Sequence, residues 1–271
     1  MKISMADFFG WGRHPFSDTY QLAKPFLGEK DERILHRATS LLNCGKSFAI
    51  TGPSGSGKST LVQHIIHQLD PKFYQAAYIH YGGLQRSGIL KAVADYLGVD
   101  TSGRNIPLLI KLQKHILQLS SETNARYPVF IVDDAQLLEH ESMMDLCSLM
   151  VSPQKKTVAA SIILVGDETL AKRLRLHVMA PVKTRMTCFF GMEALDENET
   201  ERFVGYRLEV AKAPGDLFDA DTISLMSSHC RGNRRQIMNV GTLLLEEAYF
   251  RQEKTIGSHL ILECDLIDQS G

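Results

Sequence analysis

"GPSGSGKST", Gly52 to Thr60, is the stretch that decides the architecture of this chain. Its glycines, lysine and serine fit the pattern GxxxxGK[ST] in full. Before it runs "SFAIT" (Ser47–Thr51), a short strand-like segment; after it "TLVQHIIHQL" repeats apolar residues at helical spacing. A strand turning through glycines into a helix is the context this pattern requires. Gly52, Gly55 and Gly57, with Pro53, Ser54 and Ser56 between them, let the backbone wrap closely with its N–H groups turned inward, where phosphate oxygens are held. The helix start at Gly57–Thr60 adds a dipole favourable to anions. Lys58 is expected to reach the β- and γ-phosphates, and the Ser59 hydroxyl to bind Mg²⁺. The ligands implied are ATP and Mg²⁺.

A second stretch supplies acids. "VFIVDDAQLL", Val129 to Leu138, runs four apolar residues into Asp133 and Asp134. Between Lys58 and Asp133 lie another strand, "AAYIHY" (Ala76–Tyr81), and two helical stretches, "SGILKAVADYLG" and "IPLLIKLQKHILQL". This arrangement resembles the branch of phosphate-loop ATPases that has an extra strand between its two motif strands. In that branch the first acid, here Asp133, holds the Mg²⁺ shell, and the second, here Asp134, orients the attacking water. The second acid is usually Glu. With an unchanged backbone, the shorter Asp carboxylate sits about 1.5 Å further back, and a misplacement near 1 Å costs roughly a hundredfold in rate. Either slow hydrolysis or a backbone shift on assembly is therefore expected. The alternative for Asp134 is a solvated helix N-cap.

The pattern along the chain alternates short β-rich runs with helices, as in an α/β fold with a parallel sheet. Five strands are expected: the three above, "SIILV" (Ser161–Val165) and "TCFF" (Thr187–Phe190). After Phe190 the pattern becomes helical. "LDENETERFVGYRLEVA" opens with Asp196 and Glu199 in capping-box spacing, followed by three further helical stretches. The reading is an α/β phosphate-loop core over residues 1–195, with segment 1–46 near the adenine, and a small all-helical lid over 196–271.

Composition narrows the function classes. In 271 residues, 44% are hydrophobic and the formal net charge is −1, so a core is affordable and any polyanion binding must be local. The five cysteines form no CxxC pair, which argues against zinc or a disulfide framework and for a reducing cytoplasm. His64 and His67 share a helix face without a third ligand. "MKISMADFFGWGRHPF" is interrupted by Asp7 and Arg13 and is not a signal peptide, and no run approaches the roughly 20 apolar residues of a membrane span. A cytoplasmic location is expected.

Five stretches together resemble one family, the ExeA/GspA group of bacterial AAA+ ATPases: "FFGWGRHPFSDT" from Phe8, "VDDAQLL" from Val132, "ILVGDETL" from Ile163, "VKTRM" from Val182 and "RGNRRQIMNV" from Arg231. The same module resembles transposition regulators of the TnsC and TniB type. Asp134 replaces Glu, Asp167 replaces Gln, and Asn233-Arg234 replace Ile-Pro in the pattern. The resemblance implies that Arg235 (runner-up Arg234) is the lid arginine that contacts the γ-phosphate. It implies that Arg185 (alternatives Arg173 and Arg175) reaches a neighbour's nucleotide in trans. Asp167 stands where a sensor of the γ-phosphate or the water is found. Pro15 and Phe16 are expected to supply apolar contacts to the adenine, and Trp11 is either a further contact or plain core.

The resemblance implies an ATPase that assembles as a homo-oligomer on duplex DNA and regulates transposition with a transposase and a target-selection protein. The DNA contact is expected to be electrostatic and not sequence-specific, from Arg86 and Lys91 or Arg104 and Lys111. The alternatives are an ExeA-like secretion ATPase and a nucleotide-gated adaptor for proteins only. Full-length secretion members continue into a membrane helix and a peptidoglycan-binding region, which this sequence lacks; the expectation therefore leans to transposition.

Overall fold

In the computed structural model, residues 3–19, 24–80, 88–102, 106–119, 125–151 and 158–264 are described. The chain divides into two compact units: Glu29–Ser54 with Lys58–Met192, and Met1–Gly28 with Gly55–Gly57 and Glu193–Gly271.

The first unit is α/β. Its strands are β1 (Ser47–Thr51), β2 (Tyr74–His80), β3 (Tyr127–Asp133), β4 (Ser161–Gly166) and β5 (Met186–Gly191). All neighbours pair in parallel, in the order β2-β3-β4-β1-β5. Each of the five strands expected from the sequence is present. β1 and β4 are buried at every position. Such strands are covered on both faces and need continuous apolar runs, which is why they were readable. The edge strand β5 instead alternates between buried and exposed. The strand that follows β1 in sequence, β2, lies at the sheet edge; the one that separates β1 from the acidic strand β3 in space is β4.

Helices of this unit are α2 (Glu29–Asn43), α3 (Lys58–Gln68), α4 (Gly88–Leu97), α5 (Leu108–Leu119), α6 (His140–Leu149), α7 (Glu168–Leu174) and α8 (Ala180–Lys183). The core joins Phe130, Val132, Ile162 and Leu164 of the sheet to Val93, Leu112, Ile116, Met143 and Leu170 of the helices. Register places His80 beside Asp133, and Thr51 beside Gly166. In a parallel sheet these strand ends share one side, where ligands bind in open α/β folds.

The second unit is helical: α1 (Met5–Phe9), α9 (Glu197–Ala211), α10 (Ala220–Cys230), α11 (Arg234–Arg251) and α12 (Ser258–Glu263). The capping box expected at Asp196 and Glu199 starts α9, and the side chains of Asp219 and Asn233 cap α10 and α11. The segment up to Gly28, expected with the α/β core, groups with these helices instead. Buried Arg207 explains why: from α9 its guanidinium donates to Pro15 O at 2.7 Å and Ser17 O at 2.9 Å. Phe16 packs edge-on to Phe218, and Trp11 stacks on Phe9. A Cβ on Gly241 would lie 2.5 Å from the Phe16 ring, so α11 admits that ring only because it carries glycine there. No helix among the described residues is long and apolar enough to cross a membrane.

Candidate functional site

The turn Gly52–Thr60 leaves β1 and enters α3. Gly55 and Gly57 have φ of +78° and +93°, values that side-chain-bearing residues rarely adopt. Gly52 runs so close to the end of β5 that a Cβ there would sit 2.5 Å from Met192 O. Lys58 Nζ donates to Gly52 O at 2.9 Å and Pro53 O at 2.8 Å, so the ammonium braces the loop it is expected to serve. Ser54 and Thr60 are exposed. Ser56 Oγ is buried and has no hydrogen-bond partner in the structure. A buried hydroxyl without a partner is costly in a protein interior.

β3 delivers the acids. Asp133 is almost fully buried, yet its carboxylate is well satisfied. Oδ2 accepts from Ser59 Oγ at 2.7 Å and from the Tyr78 hydroxyl on β2; Oδ1 accepts from Asp134 N at 3.0 Å. Tyr78 has its pKa pushed well above the usual tyrosine value, by burial first and by its bond to Asp133 second. Its hydroxyl therefore remains a donor.

Asp134 has left-handed backbone, with φ 54° and ψ 36°. Asp and Asn tolerate this region better than longer side chains, which gives a backbone reason for Asp at this position. It precedes a short 3₁₀ turn, Ala135–Leu137, but its side chain makes no capping bond. Instead Oδ1 accepts from Gln136 Nε2 at 3.0 Å, and Oδ2 lies 3.6 Å from His80 Nδ1. Gln136 also accepts from Asp167 N at 3.3 Å, which ties the ends of β3 and β4 together. Arg173 reinforces the link by donating to Gln136 O and to Leu138 O.

The sequence reading missed Tyr78, His80 and Gln136. Tyr78 and His80 are two apart on a strand and so share a face, which was the available signal.

The remaining expected residues do not all converge. Asp167 caps α7: its Oδ1 accepts from Thr169 N at 2.8 Å and Leu170 N at 3.2 Å. Arg173 is engaged with backbone carbonyls, whereas Arg175 and Arg185 are exposed, Arg185 donating to Pro181 O at 2.7 Å. In the helical unit, Arg234 donates to Ser56 O and to Glu193 O. Arg235 N donates to Gly55 O at 3.3 Å, and its side chain is exposed. Pro15 and Phe16 are buried in the helical unit, and Phe16 and Trp11 belong to its core. Lys91 is exposed, and Lys111 Nζ is held by Asp100 O and Ser102 O. Arg86 and Arg104 lie outside the described residues.

The donor set suits a nucleotide with its metal. A hydroxyl and a carboxylate 2.7 Å apart are hard oxygen ligands of the kind Mg²⁺ takes, beside a glycine cradle and a lysine.

Residues 44–174 match a family model described as an AAA domain. No curated protein matches. Among solved structures, the chain is similar to the ORC2 protein of Aeropyrum pernix, solved with ADPNP and ADP. The two are 16% identical with a TM-score of 0.69, covering 93% of this chain and 71% of that one. It is similar to the ORC1 protein of the same organism in complex with DNA, at 13% identity and a TM-score of 0.67, covering 94% and 68%. It is also similar to the RuvB Holliday junction branch migration motor of Thermotoga maritima, at 14% identity and a TM-score of 0.60, covering 88% and 68%. This chain therefore shares its fold with these structures, and its residues 44–174 match the AAA domain model.

Proposed function

We propose that this chain binds ATP with Mg²⁺ at Gly52–Thr60, hydrolyses it slowly, and assembles as a homo-oligomer on duplex DNA, where it regulates transposition with a partner transposase and a target-selection protein. The observation that carries the nucleotide reading is the 2.7 Å bond between Ser59 of the glycine loop and Asp133 of β3. In this reading Lys58 and the loop N–H groups hold the phosphates, and Ser59 and Asp133 hold Mg²⁺. The metal would neutralise charge on the phosphate oxygens. Asp134, whose carboxylate is held by Gln136, orients the water. Asp167 caps α7 through Oδ1, and the sensor role that the resemblance implies falls to its other carboxylate oxygen. The exposed Arg185 is assigned to the trans position, and Arg235 remains the lid arginine by its place in the motif.

DNA association is supported by the ORC1 neighbour, solved with DNA, and by the RuvB motor, whose fold this chain shares. Transposition rests on the motif resemblance. With a net charge of −1, the chain should bind DNA through a local basic patch, so affinity should fall steeply with salt. The test is binding to duplex DNA in the presence of a non-hydrolysable ATP analogue, across a salt series. Salt-sensitive binding that requires the nucleotide supports the proposal. Nucleotide binding without DNA binding at low salt would leave the secretion or protein-adaptor readings.

A further inference from the structure

The carboxylate of Asp133 is buried and carries three donors, and two of them belong to the expected machinery: Ser59 of the loop and the N–H of the neighbouring Asp134. The third comes from outside both motifs. Tyr78, on the edge strand β2, donates its hydroxyl to Asp133 Oδ2, the same oxygen that Ser59 uses.

We infer that Tyr78 is a positioning residue that holds the Asp133 carboxylate in its metal-binding orientation. A carboxylate on a buried strand end can rotate about its side-chain torsions unless both oxygens are engaged. Asp134 N fixes Oδ1 from the chain itself. Oδ2 is shared by Ser59 and Tyr78. Ser59 can go on donating its proton to Asp133 while a lone pair turns to a metal, and Tyr78 holds the same oxygen from the sheet. β2 pairs with β3 residue by residue, from Tyr74 beside Tyr127 to His80 beside Asp133, so the phenol is carried on the same rigid element as the acid it serves. Partners of this kind, which orient a metal ligand without touching the metal, are worth about 10–100-fold in metal affinity. Tyr78 does not touch nucleotide in this account; its effect passes through Asp133.

The inference rests on the proposed nucleotide reading, and its test separates the two. Binding of a fluorescent ATP analogue is measured by anisotropy for the wild type and Tyr78→Phe, in EDTA and across a Mg²⁺ titration. Phenylalanine keeps the ring and removes only the hydroxyl; a thermal melt compares the stability of the two folds. The expected result is unchanged affinity in EDTA and a Mg²⁺ half-saturation raised about tenfold in the variant. Identical Mg²⁺ titrations overturn the role of Tyr78 and leave the nucleotide reading standing. Equal weakening with and without Mg²⁺ overturns it as well, because the hydroxyl would then be supporting the fold. A wild-type chain that does not bind the analogue, or binds it without regard to Mg²⁺, overturns both.

Discussion

Ser59 Oγ lies 2.7 Å from Asp133 Oδ2, joining the first turn of α3 to the end of β3 across 74 residues of sequence. That bond turns two separate motifs into one constellation. It is possible because β4 lies between β1 and β3 and brings both strand ends to the same side of the sheet.

Lys58→Ala is expected to lower nucleotide affinity by roughly 10–100-fold, since hydrogen bonds to charged groups are worth about 1.5–3 kcal/mol. The variant also loses the bonds to Gly52 O and Pro53 O that brace the loop. Titration with a fluorescent ATP analogue checks this. An affinity within twofold of wild type would remove Lys58 from the site.

Asp134→Glu separates reach from backbone. A longer side chain at φ 54° costs about 1 kcal/mol, whereas Asn tolerates this region. Chemical denaturation should show Asp134→Glu less stable by about 1 kcal/mol and Asp134→Asn near wild type. Equal stability of the three proteins would show that the backbone does not select Asp here.

The clasp on the N-terminal segment should be readable in stability. Arg207→Ala leaves the buried Pro15 carbonyl and the half-buried Ser17 carbonyl without this donor and should cost about 2–3 kcal/mol. Gly241→Ala forces a methyl into the Phe16 ring and should cost about 1–3 kcal/mol. Both are measured by denaturant unfolding. Unchanged midpoints would mean that the segment is not held by these residues.

Acid should loosen the same clasp. Burial holds the His14 imidazole below its usual value of 6.5; Glu246 opposes the shift, and Arg207 adds to it. Its Nδ1 accepts from Phe16 N at 3.2 Å, which requires an unprotonated nitrogen. The folded chain therefore binds fewer protons at His14 than the unfolded chain. The contribution is full above about pH 6.5 and is lost as pH falls through the lower folded value. Melting temperature should drop between about pH 7.5 and pH 5, and drop less in His14→Gln. Parallel profiles would exclude His14 as a source.

Much of the fold was legible because buried parallel strands demand apolar runs: Ser47–Thr51 and Ser161–Val165 read as strands and are buried throughout. The capping box at Asp196 was legible because it is local chemistry. Partnerships across the chain were not. Nothing near Phe16 announces Arg207 or Gly241, so the N-terminal segment was assigned to the wrong unit. Asp134 and Gln136 were both in view in "VDDAQ", but the left-handed backbone and the amide bridge from Asp134 to Asp167 exist only once β3 and β4 are paired. Asp167 had the position of a sensor, yet the start of α7 takes its Oδ1.

The most direct test of the central claim is phosphate release in Mg-ATP by the wild type and Asp134→Asn, each with its ATP affinity measured alongside. The account predicts measurable wild-type turnover, at least about a hundredfold loss in the variant and ATP affinity within threefold, since Asn keeps the shape but not the charge that orients the water. Equal turnover in the two proteins would contradict it.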